Sequence, residues 1–162
     1  SALAGAKLPT TLVFDYPTVR AMSGFILIEE APNLLDDVAL KSKLPTEGCG
    51  AVVSFLGITR GREGDAEVLR LEFDAWQEQL TPVLHSLAEQ AISKFGVIAV
   101  VMAHRIGSVG PQEPIVAIHV GSPHRKEAFL ACEWLIDELK KQAPLWKKEV
   151  TSEGESWKAG LG

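Results

Sequence analysis

The pattern of hydrophobic positions predicts six strands separated by polar or glycine-containing turns. Apolar and β-branched residues either run together or alternate with charged residues, and both patterns are typical of strands that are buried on one or two faces. The segment after Pro144 is also expected to be extended, because a proline ends a helix. The predicted strands are 24–29, 50–59, 68–73, 97–104, 115–120 and 145–151.

Two longer segments place apolar residues at the three- and four-residue spacing of an amphipathic helix. The first is 76–95, which is followed by a glycine. For the second, Ser122 is the predicted N-cap, Pro123 the first helical residue, and Pro144 the stop. A short helix capped by Asn33 completes the order β-α-β-β-α-β-β-α-β. This order predicts an α+β fold with two main helices on a mixed sheet.

Composition limits the class of protein. The chain has 162 residues, 46% of them hydrophobic, and a net charge of −5, which argues against nucleic acid as a partner. No apolar run approaches the length of a membrane span, and residues 1–9 lack the pattern of a secretion signal. The two cysteines form no CxxC pair. We therefore expect a cytoplasmic protein with reduced thiols that neither enters a membrane nor binds nucleic acid.

Basic residues are concentrated near the second long helix. Between residues 124 and 148 there are six Lys or Arg and four Asp or Glu, which suits a small anionic ligand. His124, Arg125 and Lys126 stand where this helix should begin, so they and free backbone N–H groups could hold a phosphate. The alternative is a solvated helix end with scattered charges, which is the commoner case.

Two lysines are candidates for acid–base or nucleophilic chemistry. Lys140 borders the apolar face of the helix, and Lys147 follows on the extended segment, so a proline turn can bring both amines to one pocket. Gathered cations push a lysine toward its neutral, nucleophilic form. The alternative is an exposed lysine pair that complements the helix dipole, and this fits Lys141 and Lys148 better.

Arg60 ends a predicted buried strand at a glycine-rich loop, where functional side chains are common, although a solvated loop arginine is equally consistent. His104 and Arg105 are interpreted as structural, and Cys132 as a core residue. The histidines and cysteines lack metal-site spacing, and neither a glycine-rich nucleotide motif nor GxSxG is present. We expect neither a metal nor a resident cofactor.

Four sequence blocks carry a resemblance to a known family. They are GAVVSFLGITR at 50–60, SPHRKEAF at 122–129, EWLIDELK at 133–140 and APLWKKE at 143–149. In this order they resemble the large, catalytic subunit of molybdopterin synthase, the MoaE family, over roughly residues 23–157.

The resemblance implies an α/β-hammerhead type fold and a homodimer. Each large subunit would bind a small ubiquitin-like sulfur-carrier subunit, giving a heterotetramer. The carrier's C-terminal Gly-Gly tail, which ends in a thiocarboxylate, would insert into a pocket of the large subunit. Sulfur would then pass from it to cyclic pyranopterin monophosphate, giving molybdopterin. The extended segment 145–151 could wall the carrier groove by strand addition.

The resemblance also implies roles for individual residues. Lys140 and Lys147 match the family's active-site lysines, and Arg60, His124 and Arg125 match its substrate-binding residues. A family arginine near the C-terminus is replaced here by Leu161, and Lys158 is a candidate substitute.

The first residues depart from the family. Residues 1–22 resemble the last part of an acyl carrier domain without its serine motif, so we interpret them as a gene-fusion remnant or a cloning artefact, and 23–162 as the catalytic domain. One rival hypothesis is a non-catalytic binding module for a ubiquitin-like protein, although the retained lysines argue against it. A second is an enzyme that acts on another phosphorylated heterocycle.

Overall fold

The fold combines two β-sheets with three helices in the part of the chain that is described. A computed structural model describes residues 24–158 and residue 161, so the predicted extension 1–22 lies outside the described residues. The predicted α+β class is confirmed. The helices are α1 (Asp37–Ser42), α2 (Gln77–Phe95) and α3 (Arg125–Gln142). The strands are β1 (Phe25–Ala31), β2 (Ala51–Ile58), β3 (Arg62–Glu63), β4 (Ala66–Ala75), β5 (Ala99–Arg105), β6 (Gly107–Val109), β7 (Pro114–Ser122), β8 (Leu145–Thr151) and β9 (Gly154–Lys158).

The first sheet is mixed, as predicted, and it has four strands. Its order is β1-β5-β7-β2, with β1 parallel to β5 and the other neighbours antiparallel. Every residue of β5 is buried because helices cover both faces of the sheet, which explains why this strand is a continuous apolar run rather than an alternating one. Strand β2 forms an edge of this sheet.

Helices α2 and α3 pack against each other and against one face of the first sheet, which confirms the predicted arrangement of two main helices. The core-facing leucines of both helices are fully buried; α2 contributes Leu80, Leu84 and Leu87, and α3 contributes Leu135 and Leu139. Phe129, at the start of α3, is instead 62% exposed. Gly96 ends α2 as predicted, in the left-handed conformation with φ of 74°.

The short helix α1 covers the opposite face of the first sheet. Leu35, Leu40 and Leu44 pack there against small residues of β5 and β7. A polar chain also ties the helix to the sheet: His119 Nε2 lies 2.8 Å from Asp37 Oδ1, and His119 Nδ1 lies 2.7 Å from Ser54 Oγ. The buried imidazole is therefore fully hydrogen-bonded, as burial of a polar ring requires.

A second sheet, antiparallel throughout, was not predicted. Its order is β9-β8-β4-β3, and β6 pairs with the remaining stretch of β4. The expected extended segment is confirmed as β8. The strands β3, β6 and β9 escaped prediction because they are two to five residues long and mostly polar or glycine-containing. This sheet forms the far wall of the cavity described below.

Two predicted helix starts are wrong. Ser122 does not cap α3, because it still belongs to β7 and its carbonyl accepts a 2.9 Å hydrogen bond from the Gly50 amide. Pro123 consequently precedes the helix, and His124 occupies the cap position without a side-chain cap hydrogen bond. Asn33 does not cap α1 either; the Asp36 carboxylate accepts a 3.1 Å hydrogen bond from the Ala39 amide.

Candidate functional site

A cavity of about 530 Å³ lies between the two sheets, beside the C-terminal end of α3. That volume falls within the usual range of small-molecule sites. The first sheet, the second sheet and α3 each supply part of the wall. The lining residues are 55–60, 71, 73, 104, 115, 116, 136, 139, 140, 147, 149 and 161.

Three of the predicted site residues meet at this cavity. Arg60 reaches it from the loop after β2, Lys140 from the last turn of α3, and Lys147 from β8. The lysines converge because α3 ends at residue 142 and the chain turns directly into β8, so the proline turn acts as the sequence pattern predicted. Arg60 has an 81% exposed side chain and a long contact of 3.6 Å to Glu63, which leaves its guanidinium free to meet a ligand.

The cavity environment lowers the pKa of the Lys147 amine. Burial is the main reason that its pKa is lowered, because a charged amine loses hydration there. The positive charges of Lys140, Arg60 and Lys158 lower this pKa further, whereas the carboxylate of Glu149 raises it. A lowered pKa makes Lys147 suited to act as a base or nucleophile.

Glu149 is a cavity residue that sequence reasoning missed. It is only 8% exposed, and its carboxylate pairs with Lys158 Nζ at 3.1 Å. The available signal was the strand period of two, since residues 147 and 149 of an extended segment must face the same side.

His104 also lines the cavity, behind the cationic residues. Its Nδ1 donates a 2.7 Å hydrogen bond to the Arg105 carbonyl, and its ring meets Phe73 edge to face at 5.1 Å. Burial lowers the pKa of His104 to about 4. The ring is therefore neutral at pH 7 and adds no charge to the site.

Apolar side chains form the rest of the cavity wall. Phe55, Phe73, Ile136 and Leu139 contribute to it, and Leu161 joins them from the C-terminal segment. Leu161 stands where the family resemblance implied an arginine, so the position provides apolar surface instead of a charge. Lys158, the candidate substitute, reaches this region through Glu149.

The other two predicted substrate-binding residues do not line this cavity. His124 and Arg125 lie at the start of α3, whereas Lys140 lies in its last turn. Fifteen residues of helix separate Arg125 from Lys140, a rise of about 22 Å at 1.5 Å per residue. Within one chain the structure therefore brings together only Arg60, Lys140 and Lys147.

The neighbouring lysines are engaged in ion pairs outside the cavity. Lys141 lies 3.3 Å from Glu138, and Lys148 lies 3.2 Å from both Glu72 and Glu155. These hydrogen bonds raise the pKa of Lys148. The expectation that Lys141 and Lys148 face away from the pocket is confirmed.

Neither cysteine is prepared to act as a nucleophile. Burial raises the pKa of Cys132 to about 11 and also raises that of Cys49, and a protonated thiol is a poor nucleophile. Among residues 24–158 and 161, no cluster of three or more His, Cys, Asp or Glu side chains is arranged to hold a metal ion. None of the helices described has the length and apolarity needed to span a bilayer.

The predicted strand addition to segment 145–151 is wrong. Strand β8 is hydrogen-bonded to β4 along one edge, and its residues 147–151 pair with β9 along the other, so in the described part of the chain this stretch offers no free edge to an incoming peptide. The free edge of this part of the second sheet belongs to β9.

Comparisons with known proteins agree with the resemblance in the sequence. The family model described as "MoaE protein" matches residues 28–142. The molybdopterin synthase catalytic subunit of Pyrococcus abyssi is 36% identical over 128 residues, covering 79% of this chain and 84% of the relative. The molybdopterin synthase catalytic subunit of Arabidopsis thaliana is 38% identical over 133 residues, which cover 82% of this chain and 67% of the relative.

Solved structures extend the comparison to the fold. Molybdopterin synthase from Staphylococcus aureus superposes with a TM-score of 0.76 at 30% identity, over 81% of this chain and 96% of that chain. A chain from the complex of subunits 1 and 2 of molybdopterin-converting factor from Helicobacter pylori gives a TM-score of 0.67 at 24% identity. The match covers 80% of this chain and 88% of that chain. The family match, the relatives and the shared fold together show that this chain belongs to the MoaE family of molybdopterin synthase catalytic subunits, which are enzymes.

Proposed function

We propose that this chain transfers sulfur from a thiocarboxylated carrier subunit to cyclic pyranopterin monophosphate, giving molybdopterin. The observation that carries the proposal is the cavity in which Arg60, Lys140 and Lys147 converge on an otherwise largely apolar pocket. A cationic, partly dry site of this size suits a small phosphorylated heterocycle, because fixed charges hold the anion while apolar walls bury its ring. The cytoplasmic location expected from the cysteine pattern stays a prediction.

The two lysines would divide the chemistry. Lys147, whose pKa is lowered by burial, would act as the base or transient nucleophile. Lys140, which lines the same cavity, would hold the developing negative charge as each carbon–sulfur bond forms. Arg60 would bind the substrate phosphate, for which a forked guanidinium is well suited.

The sulfur source is proposed to be a separate protein. Both thiols of this chain have raised pKa values, which argues against an internal sulfur relay. The H. pylori relative was solved as a complex of two subunits, and we propose a small ubiquitin-like partner with a C-terminal Gly-Gly thiocarboxylate here as well. Its tail would enter the cavity beside Lys147.

A homodimer would complete the site. His124 and Arg125 are too far from the cavity of their own chain to touch a ligand in it, so a second copy would have to supply them. Strand β2 is a sheet edge with exposed Val52, Leu56 and Ile58. Antiparallel pairing of two such edges would bring the start of one β2, beside His124, next to the end of the other, beside Arg60. We propose this as the route by which His124 and Arg125 reach the substrate.

The test is reconstitution from purified parts. The chain, a thiocarboxylated carrier and cyclic pyranopterin monophosphate are mixed, and molybdopterin is measured against time. We expect product only when all three are present. Lys140→Ala and Lys147→Ala should each lower turnover by about a hundredfold or more, the scale of a lost catalytic proton transfer or charge. Lys141→Ala is the matched control, because this lysine lies on the same helix end and faces away.

Two results would contradict the proposal. One is product formed with free sulfide and no carrier, which would remove the carrier requirement. The other is near-normal turnover in a folded Lys147→Ala protein, which would remove Lys147 from the mechanism. A chain that binds the carrier but forms no product would favour a non-catalytic binding module. We also propose that residues 23–162 are sufficient for sulfur transfer. A chain that begins at Met22 tests this boundary: loss of turnover at an unchanged melting temperature would refute it.

A further inference from the structure

Two lysines and one carboxylate share the cavity-facing side of the second sheet. Lys147 and Glu149 alternate onto this side of β8 and line the cavity. Lys158 lies directly opposite Lys147 in the β8–β9 ladder, so its side chain projects from the same face. Glu149 is its diagonal neighbour, and the two side chains meet at 3.1 Å.

The carboxylate is committed to only one of the two lysines. Glu149 is almost fully buried, and a buried carboxylate needs a partner. Its ion pair is with Lys158, and within residues 24–158 and 161 Lys147 has no ion pair of its own. Glu149 is nevertheless close enough to influence Lys147 electrostatically. Lys147 and Lys158 therefore compete for the same carboxylate, and in this structure Lys158 holds it.

We propose that Lys158 is a positioning residue that holds Glu149 away from a direct ion pair with Lys147 and so leaves the Lys147 amine free to react. The catalytic consequence rests on the proposed function, whereas the competition itself does not. Lys158 is not one of the residues that line the cavity, and in this proposal it does not contact the substrate. It acts through its ion pair with Glu149.

The charges around Lys147 decide in which direction Lys158 shifts the pKa of its amine. Burial is the largest cause of the lowered pKa of Lys147, the nearby cations lower it further, and Glu149 alone opposes them. Lys158 therefore acts twice in the same direction, by its own charge and by occupying Glu149. The groups around Lys147 are Lys140 from α3, Arg60 after β2, the neutral His104 from β5, Glu149 on the same strand, and Lys158 from β9.

Removing the charge of Lys158 should make Lys147 harder to deprotonate. In Lys158→Gln the repulsion between the two amines is lost, and the freed Glu149 carboxylate can turn toward Lys147. Both changes favour the protonated form, so the pKa of Lys147 should rise. Lys158→Arg keeps a cation on Glu149 and should behave like the original chain.

The experiment measures the reactivity of Lys147 in the isolated full chain, without carrier or substrate. Trace acetic anhydride acylates neutral amines, and peptide mass spectrometry reports labelling at Lys147 from pH 6 to pH 10. For Lys158→Gln we expect labelling at pH 8 to fall by about threefold to tenfold, which corresponds to a rise of about half a unit to one unit in pKa. Lys158→Arg should restore it, and the exposed-pair control Lys141→Gln should leave it unchanged.

Repeating the Lys158→Gln test in a Glu149→Gln protein separates the effect that acts through Glu149 from direct repulsion between the two amines. Glu149→Gln alone should increase Lys147 labelling, because it removes the one charge that favours protonation. Adding Lys158→Gln to that variant should then have a smaller effect than in the original chain, because the residue acts largely through Glu149. Circular dichroism and melting temperature verify that each variant is folded.

The outcomes are distinct. Unchanged Lys147 labelling in a folded Lys158→Gln protein, or an equal effect of Lys158→Gln with and without Glu149, would overturn the proposal. If Lys158→Gln does not fold, Lys158→Met takes its place, because it also removes the charge while keeping a long side chain, and labelling of Lys147 must fall in it as well. Because no turnover is measured, a failure of the sulfur-transfer function would leave this result standing.

Discussion

His104 shows how one buried ring links the cavity to the stability of the fold. It lies between the two sheets, donates to the Arg105 carbonyl and packs edge-on against Phe73. Its neighbour Arg105 is also buried, and its guanidinium donates to the Ser108 carbonyl at 2.6 Å and pairs with Glu113 at 3.3 Å. Interpreting both as structural residues is consistent with these contacts, although His104 also forms cavity wall.

The lowered pKa of His104, about 4, predicts loss of stability in acid. The ordinary histidine pKa is about 6.5, so the unfolded chain takes up this proton first, and stability that is complete above pH 6.5 is lost as pH falls toward 4. The expected loss is on the order of 2–3 kcal/mol. Urea unfolding of the original chain and of His104→Gln at pH 7 and pH 4.5 measures it. The variant should show a smaller drop, and parallel drops in both proteins would refute the assignment.

At the scale of elements, the junction between β2, β7 and α3 fixes the residue at which α3 begins. The Gly50 amide bonds to the Ser122 carbonyl, and this extends the strand ladder to the residue before Pro123. A Cβ atom on Gly50 would stand 2.3 Å from the Pro123 carbonyl oxygen, which is backbone and cannot rotate away. Gly50 is therefore required by close backbone approach.

This geometry predicts that Gly50→Ala is destabilising. The clash should lower the free energy of unfolding by about 1–3 kcal/mol, the usual cost of overpacking. Gly61→Ala is the control, because a Cβ atom there meets nothing within 4 Å and should change stability by less than about 0.5 kcal/mol. Denaturant titration compares the two. Equal stability of both variants would show that the junction relaxes at no cost.

At the scale of the whole molecule, the proposed site is split between the two ends of α3. The helix carries Lys140 to the cavity and leaves Arg125 about 22 Å away at 1.5 Å per residue, so one chain cannot place both on one small ligand. A dimer paired along β2 would solve this in both sites at once by its twofold symmetry.

The split predicts complementation between two variants, one impaired in catalysis and the other in substrate binding. Co-expressed Lys140→Ala and Arg125→Ala chains with different tags should form mixed dimers in which one site has both side chains intact. With random pairing, half of the dimers are mixed and each has one intact site, so activity should recover to about a quarter of the original rate. The control is co-expression of Lys140→Ala with Lys147→Ala, which should recover nothing because these residues share one chain's cavity. Absence of recovery in the first mixture would place Arg125 outside the site.

The sequence by itself determined the two long helices, the longer strands, the helix packing and three of the cavity residues. Hydrophobic periodicity is local, so the two long helices and the strands of the first sheet could be predicted, and the proline turn after α3 brought Lys140 and Lys147 together as expected. The family blocks also predicted Arg60 at the same place.

Only the tertiary structure decided the second sheet, the full set of cavity residues and the separation of Arg125 from Lys140. Strands β3, β6 and β9 are too short and polar to carry a periodic signal, and they exist because β4 and β8 offer them edges. The ion pair of Glu149 with Lys158 depends on the register between two strands, and register is set by pairing across the fold rather than by either segment alone.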